Sequence, residues 1–298
     1  MTARGKTIVI TGATAGIGQA AAVELARRGA QVVLVARNPE KAKATTALIE
    51  QAAPGATVRT VHGDLASMAS ARAAAGELVD GLDRIDVLVN NAGISAAQHR
   101  ETNEGYDEML AANYLGPFLL THLVLPKLRA STPARIVVVA SEAHRAPGRW
   151  DVERFEDVGS YSGALAAQLA YGRTKLFDLL FANELARRLD GEGITVNSLC
   201  PGLVATSLAR ESGNRVERVG LMIAKRSPFV RTPEQGARMT VRLADADDVE
   251  GVTGRFFSST PGASRVPAVK ARRDPQLARR LYERTCGLLG IEPVPGHD

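Results

Sequence analysis

"TIVITGATAGIG", residues 7–18, runs from a short apolar stretch through a glycine-rich turn into a helical pattern. Its first five residues have the Val/Ile content and the length of a strand buried on both faces. Gly12, Gly16 and Gly18 then follow with a G-x-x-x-G-x-G spacing. Glycine at such positions permits a tight turn and lets backbone N–H groups approach a pyrophosphate, while the next helix N-terminus adds favourable partial charge. Three glycines alone say little. Their place between a strand and a helix reads as dinucleotide binding.

The rest of the chain repeats that rhythm. Further buried-strand patterns lie at 31–37 ("QVVLVAR"), 57–64 ("TVRTVHGD"), 85–93, 134–141, 194–202 and 254–258, with helical segments between them. The first two intervening helical patterns each close on a glycine. Strand alternating with helix predicts an α/β fold, a single Rossmann-like doubly wound parallel sheet with helices on both faces. No repeat or linker marks a boundary, so residues 1–298 read as a single nucleotide-binding domain. Residues 142–168 and 203–232 break the rhythm, and 259–298 form a C-terminal extension. In such sheets ligands bind beyond the strand carboxyl ends, where these excursions would shape a pocket.

Composition excludes several classes. The formal charge of +5 comes mostly from arginines scattered along helices, as in "ELARRG", and no nucleic-acid reader motif is present. The basic stretch "VKARRDPQLARRLYER" reads as an exposed helix face. Cys200 and Cys286 make no disulfide framework and read as small buried hydrophobes; no Cys/His cluster has metal-ligand spacing, so no metal is expected. The N-terminus holds no apolar stretch long enough for a signal peptide, and no eighteen-residue apolar run occurs elsewhere, so no membrane span and a cytoplasmic location are expected.

Polar residues stand where the strands end. The second strand closes on Ala36 and Arg37, with no carboxylate to repel a 2′-phosphate and a guanidinium able to pair with one, which favours NADP over NAD. Asp64 could meet an adenine amino group or cap the next helix. "NNAG" at 90–93 could brace the sheet. Tyr171 and Lys175 stand one helical turn apart, and no other tyrosine here has lysine at i+4.

TGxxxGIG at 11–18, NNAG, Asn113 in "AANYLG", Ser141 at a strand end, Tyr171-x-x-x-Lys175 and "PG" at 201–202 occur in one order. Across residues 5–260 the set resembles the short-chain dehydrogenase/reductase family. The 29 residues between Ser141 and Tyr171, opening within "ASEAHR", resemble the branch of retinol dehydrogenases, WW-domain oxidoreductases and protochlorophyllide reductases, as does the tail "RLYERTCGLLGI". Members of that branch often begin with a membrane anchor, which is not read here. The resemblance implies a catalytic set of Asn113, Ser141, Tyr171 and Lys175. It places Gly12, Thr14, Gly16, Ile17, Gly18, Asp64, Leu65, Asn91, Ala92, Gly93, Pro201 and Gly202 against the cofactor, with Val204 and Thr206 at the nicotinamide carboxamide. It also implies that Asn113 holds a water beside Lys175, and that copies of the chain pair through long helices such as the one carrying Tyr171.

The chemistry follows. Carbonyl reduction needs a proton at the developing alkoxide, and a free phenol with a pKa near 10 exchanges protons poorly at neutral pH. Lowering that pKa by about 3 units takes roughly 4 kcal/mol. The Lys175 ammonium and the positive nicotinamide of the oxidised cofactor are the expected sources. Lys175 could also bond the cofactor ribose, and Ser141 would donate to the substrate oxygen. His144 lacks the spacing of a hydrolase triad and reads as a loop residue. A non-catalytic NADP sensor would commonly lose Ser141, Tyr171 or Lys175, and a sugar-nucleotide epimerase would space its glycines TGxxGxxG. An enzyme kept as an interaction scaffold stays open. Leu203, Val204, Leu208, Leu221, Met222, Ile223, Phe229 and Val230 could line an apolar cavity, so the expected substrate is a lipophilic aldehyde, ketone or alcohol, retinol-like alcohols included.

Overall fold

The computed structural model describes residues 3–204 and 230–296. Seven strands, β1 (Thr7–Thr11), β2 (Gln31–Ala36), β3 (Val58–His62), β4 (Val87–Asn90), β5 (Ala134–Val139), β6 (Ile194–Cys200) and β7 (Phe256–Ser258), form one sheet in the order β3-β2-β1-β4-β5-β6-β7. Every neighbouring pair is parallel. The expected sheet is therefore present, and its ladders end short of the longest sequence patterns because the polar strand ends turn away into loops.

Alternation along the strands divides the core. On one side, Val9, Val33, Val35, Leu88, Ile136 and Val138 pack with α3 (Met68–Gly81), α4 (Glu108–Ala130) and α5 (Ala164–Arg188). On the other, Ile8, Ile10, Val32, Leu34, Val87 and Val137 pack with α1 (Gly16–Arg27), α2 (Pro39–Ala52) and α6 (Pro233–Asp245). Period-two alternation with both faces apolar is what a doubly covered sheet requires. The order reverses at β1: the chain builds outward to β3, then crosses back to β4 and continues the other way. That leaves a crevice at the carboxyl ends of β1 and β4, the position at which such sheets bind ligands.

Among the described residues, α4 alone has the length and apolarity to cross a bilayer, with mean hydropathy 1.3, but 89% of that window is buried inside the protein. It is a core helix. Asp107 caps it through the Leu110 N–H at 2.8 Å, and residues Ala111–Leu115 widen into a π turn. Gly116 follows because a Cβ there would lie 2.9 Å from the Leu65 carbonyl carbon and closer still to its oxygen.

The C-terminal extension ends in α7 (Pro275–Leu289), capped by Asp274, with Ala278, Leu281, Tyr282, Thr285, Cys286 and Leu289 on its buried face. Its arginines Arg279, Arg280 and Arg284 are exposed, as the sequence suggested, and the latter two pair with Glu153 of the 142–168 insertion. The apolar face covers α4 and α5. Tyr282 sits among Phe118, His122 and Phe181, with ring centroids 5.2 Å from Phe118 and 5.3 Å from His122. Burial drives the His122 pKa down to about 4, a neighbouring Phe118 carbonyl only partly opposing it. The neutral ring therefore donates from Nδ1 to the Phe118 carbonyl at 2.8 Å and accepts the Tyr282 hydroxyl at Nε2, 2.6 Å away. Thr285 meets the Tyr114 hydroxyl at 2.8 Å, and Arg188 stacks 4.4 Å from the Tyr282 ring. Over this patch the surfaces of α4 and α5 are covered by the chain's own α7.

Truncating a fully buried aromatic side chain leaves a cavity, so Tyr282→Ala should cost about 3–5 kcal/mol of stability in urea unfolding. A loss below about 1 kcal/mol would show that α7 is not docked as described.

Candidate active site at the strand carboxyl ends

The glycine turn is shaped first by its neighbours in the protein. Gly12 has φ +64° and Gly16 φ +56°. A Cβ on Gly12 would stand 2.7 Å from the Ala92 Cα; one on Gly18 would stand 2.6 Å from the Gly12 carbonyl oxygen and press on the Asn91 amide. The loop after β4 is thus laid against the turn after β1. Thr11 fixes it there: its hydroxyl accepts the N–H groups of Asn91 and Ala92, each at 3.0 Å. The Asn91 amide donates to the Thr11 and Gly12 carbonyls at 2.9 and 3.2 Å. Bracing, expected of NNAG, is the work Asn91 does, and the Asn90 amide adds a 2.8 Å bond to the Thr121 hydroxyl on α4.

The start of α1 suits a phosphate. Its N-cap, Ala15, supplies no side-chain acceptor, whereas α2, α3, α6 and α7 are capped by Asn38, Ser67, Thr232 and Asp274. First-turn N–H groups left without a side-chain partner at a glycine-lined crevice fit a dinucleotide pyrophosphate. Thr14 is half-buried in this turn, and Ile17 packs inward beside Val204 and Gly236. Arg37 is exposed directly beyond β2. Asp64 lies half-buried beyond β3 and accepts the Ala66 N–H at 3.0 Å. It does not cap α3. Ser67 does so, together with Glu104, whose carboxylate accepts the N–H groups of Met68 and Ala69 at 2.9 and 3.0 Å. Leu65 is buried core. Pro201 and Gly202, the latter at φ +84°, follow β6, and Val204 forms a bridge to Arg231. Thr206, Leu208, Leu221, Met222, Ile223 and Phe229 lie outside the described residues.

Ser141, Tyr171 and Lys175 converge on this edge. Gly172 is the reason α5 can reach it. A Cβ there would lie 2.5 Å from the Ala143 carbonyl oxygen and would also strike the Ala146 carbonyl, so glycine alone lets the helix backbone dock on the 142–146 turn. Ser141 opens that turn, its hydroxyl accepting the Ala143 N–H at 3.2 Å. His144, read as a loop residue, is fully buried, with Nδ1 2.7 Å from the Ser141 carbonyl. Burial lowers its pKa, so the neutral ring donates and holds the serine backbone.

Lys175 is 3% exposed. Its Nζ donates to the Val139 carbonyl at 3.2 Å and to Asp178 Oδ2 at 2.8 Å, and lies 5.8 Å from the Tyr171 ring centroid. An ammonium has three N–H donors, so one remains. Asn113, in the π turn, accepts the Ile94 N–H at 2.7 Å and donates to the Ile94 carbonyl and the Thr174 hydroxyl, each at 3.0 Å. Both amide hydrogens are thus committed to clamping the β4 loop to α5, and Gly93 lies between Asn113 and Lys175. The side chain acts as a clamp.

The protein's own groups act on the Tyr171 phenol in both directions. Burial pushes its pKa above the ordinary value, and Asp178 adds to that, while Lys175 and the Ser141 hydroxyl pull it down without prevailing. The ammonium does favour the phenolate, but part of its charge is offset by a carboxylate that the sequence motifs did not flag. Asp178 itself, buried beside Lys175, is pushed up to about 6 by desolvation, which the lysine only partly reverses. For Lys175 the attractions of Asp178 and Tyr171 outweigh burial, and its pKa is raised.

The 142–168 insertion closes one side of the site. Ala96, Met109 and Ala170 form a small apolar cluster, packed by Ile94, Val158, Tyr161 and Tyr171. Tyr161 is held there by Asp107, its hydroxyl donating at 3.0 Å, and by the His99 N–H on its carbonyl at 2.9 Å.

Comparison with known proteins identifies the family. The short chain dehydrogenase family profile matches residues 6–152, and that of enoyl-(acyl carrier protein) reductase matches 158–264. Human retinol dehydrogenase 13 is 38% identical over 292 residues, covering 97% of this chain and 86% of that protein. Dehydrogenase/reductase SDR family member 13 of Bos taurus is 39% identical over 290 residues, covering 97% and 74%. Among solved structures, an uncharacterised protein from Mycobacterium paratuberculosis superposes with a TM-score of 0.74 at 29% identity, over 98% of this chain and 96% of that one. A putative NAD(P)-dependent gluconate 5-dehydrogenase from Beutenbergia cavernae, with NADP bound, gives 0.69 at 28%, over 88% and 98%. The chain therefore belongs to the short-chain dehydrogenase/reductase family, on its retinol dehydrogenase-like branch, and is an NAD(P)-dependent oxidoreductase of carbonyls and alcohols.

Proposed function

We propose that this enzyme prefers NADP and interconverts a lipophilic aldehyde or ketone with its alcohol, retinol-like alcohols included, with Tyr171 as the proton carrier. The observation that supports this most is the convergence of Ser141, Tyr171 and Lys175 on the crevice where the sheet order reverses, beside an uncapped helix N-terminus. The bound nicotinamide supplies the hydride. Tyr171, its pKa held above the ordinary value, keeps its proton at neutral pH and gives it to the alkoxide oxygen as that oxygen gains charge. Ser141 donates to the same oxygen and stabilises the charge in place. Lys175 lowers the cost of the resulting phenolate and has one N–H left for the ribose. Asn113 and His144 position the β4 loop and Ser141.

NADP preference rests on Arg37 beyond β2, with Ala36 and Asn38 on either side and Asn38 committed to capping α2. The lipophilic substrate rests on the apolar cluster around Ala96, Met109 and Ala170 at the Tyr171 ring, and on the retinol dehydrogenase relatives.

Tyr171→Phe should lower turnover roughly 10²- to 10⁴-fold while NADPH still binds in a fluorescence titration, because the ring stays and only the acid is lost. Retained turnover would remove Tyr171 from the mechanism. Arg37→Ala should weaken NADPH by about 1.5–3 kcal/mol, roughly 10- to 100-fold in Kd, and leave NADH nearly unchanged. Equal losses for both would mean that the arginine does not read the phosphate. In a carbonyl panel with NADPH, retinal and decanal should be reduced in preference to glyceraldehyde; the opposite ranking would overturn the substrate class.

A further inference from the structure

Asp178 stands one turn beyond Lys175 on α5, is 3% exposed, and places Oδ2 2.8 Å from the lysine Nζ. An exposed i,i+3 pair of this kind on a helix would carry little consequence. This one is buried, and its lysine Nζ lies 5.8 Å from the centroid of the Tyr171 ring. Two acceptors, the Val139 carbonyl and the Asp178 carboxylate, hold Nζ from two sides. We propose that Asp178 is a positioning residue that anchors the Lys175 ammonium and offsets part of its charge, thereby setting the pH at which Tyr171 exchanges its proton. The inference rests on the reading of Tyr171 as the proton carrier.

The sign is fixed by charge. Ionised Asp178 disfavours the phenolate, and Lys175 favours it. Among the described residues, the other titratable groups around the pair are Tyr114 on α4, which burial keeps neutral, and Cys200 at the end of β6, whose Sγ accepts the N–H groups of Glu142 and Gly202 at 3.3 and 3.4 Å. Tyr114 therefore adds no charge of its own. Asp178 and Lys175 therefore act on Tyr171 as one coupled unit.

Asp178→Asn keeps an acceptor for Nζ and removes only the charge. With retinal and NADPH, and with retinol and NADP⁺, the Tyr171-dependent limb of the kcat/KM profile should move toward acid by about one pH unit, so that retinol oxidation below the limb rises roughly tenfold. Asp178→Glu should keep the original profile. Titration of the phenol by tyrosinate absorbance, each protein referenced to its Tyr171→Phe partner, should show the same acid shift without any substrate. Asp178→Ser removes the same charge and serves if the amide variant does not fold. An unmoved limb, or one displaced toward base, in a folded uncharged variant overturns the proposal. Should Tyr171→Phe itself stay active, the reading beneath it falls instead, so the two failures are separable.

Discussion

An ammonium group buried at Lys175 is the constraint around which the catalytic edge is organised. A charge out of water must be met by fixed partners, and each partner comes from a different part of the fold: the end of β5, and a second position on α5 itself. Meeting them requires α5 to lie against β5 and the turn beyond it, which is why position 172 has no side chain. Once that helix is seated, Tyr171 faces the crevice and Thr174 meets Asn113, so the β4 loop is drawn into the same arrangement. The site is one packed unit.

The acid–base behaviour of the Tyr171 phenol follows from this. A phenol beside a lone buried cation would be much more acidic than one beside an ion pair. The protein's own groups together hold the phenol above the ordinary tyrosine range, which suits the proton-carrying role proposed for it in carbonyl reduction. Burial is the largest influence on that behaviour, with Lys175 and Asp178 acting on it in opposite directions.

Strand and helix order was legible because both faces of the sheet are apolar, so that "QVVLVA" and "ARIVVV" announce themselves. The glycine turn was legible for its backbone geometry, although Gly12 and Gly18 are dictated by Asn91 and Ala92 as much as by any ligand. What could not be read were partnerships across the fold. Glu104 caps a helix some 36 residues upstream, and no local pattern marks it. His144 supports Ser141 from within a buried turn. Asp178 did leave a trace, an acid three places after the lysine, but on paper such a pair is indistinguishable from a solvated one; only burial gives it weight.

The docking of α7 has a consequence for biosynthesis. The seat that His122 and Phe118 provide for the Tyr282 ring is complete only when a residue 160 positions later has emerged. At about 5–20 residues per second, translation leaves that aromatic patch open to water for roughly ten to thirty seconds. During this interval the nascent chain presents a sticky surface that the finished enzyme never shows, and chaperone occupancy on the ribosome should concentrate there.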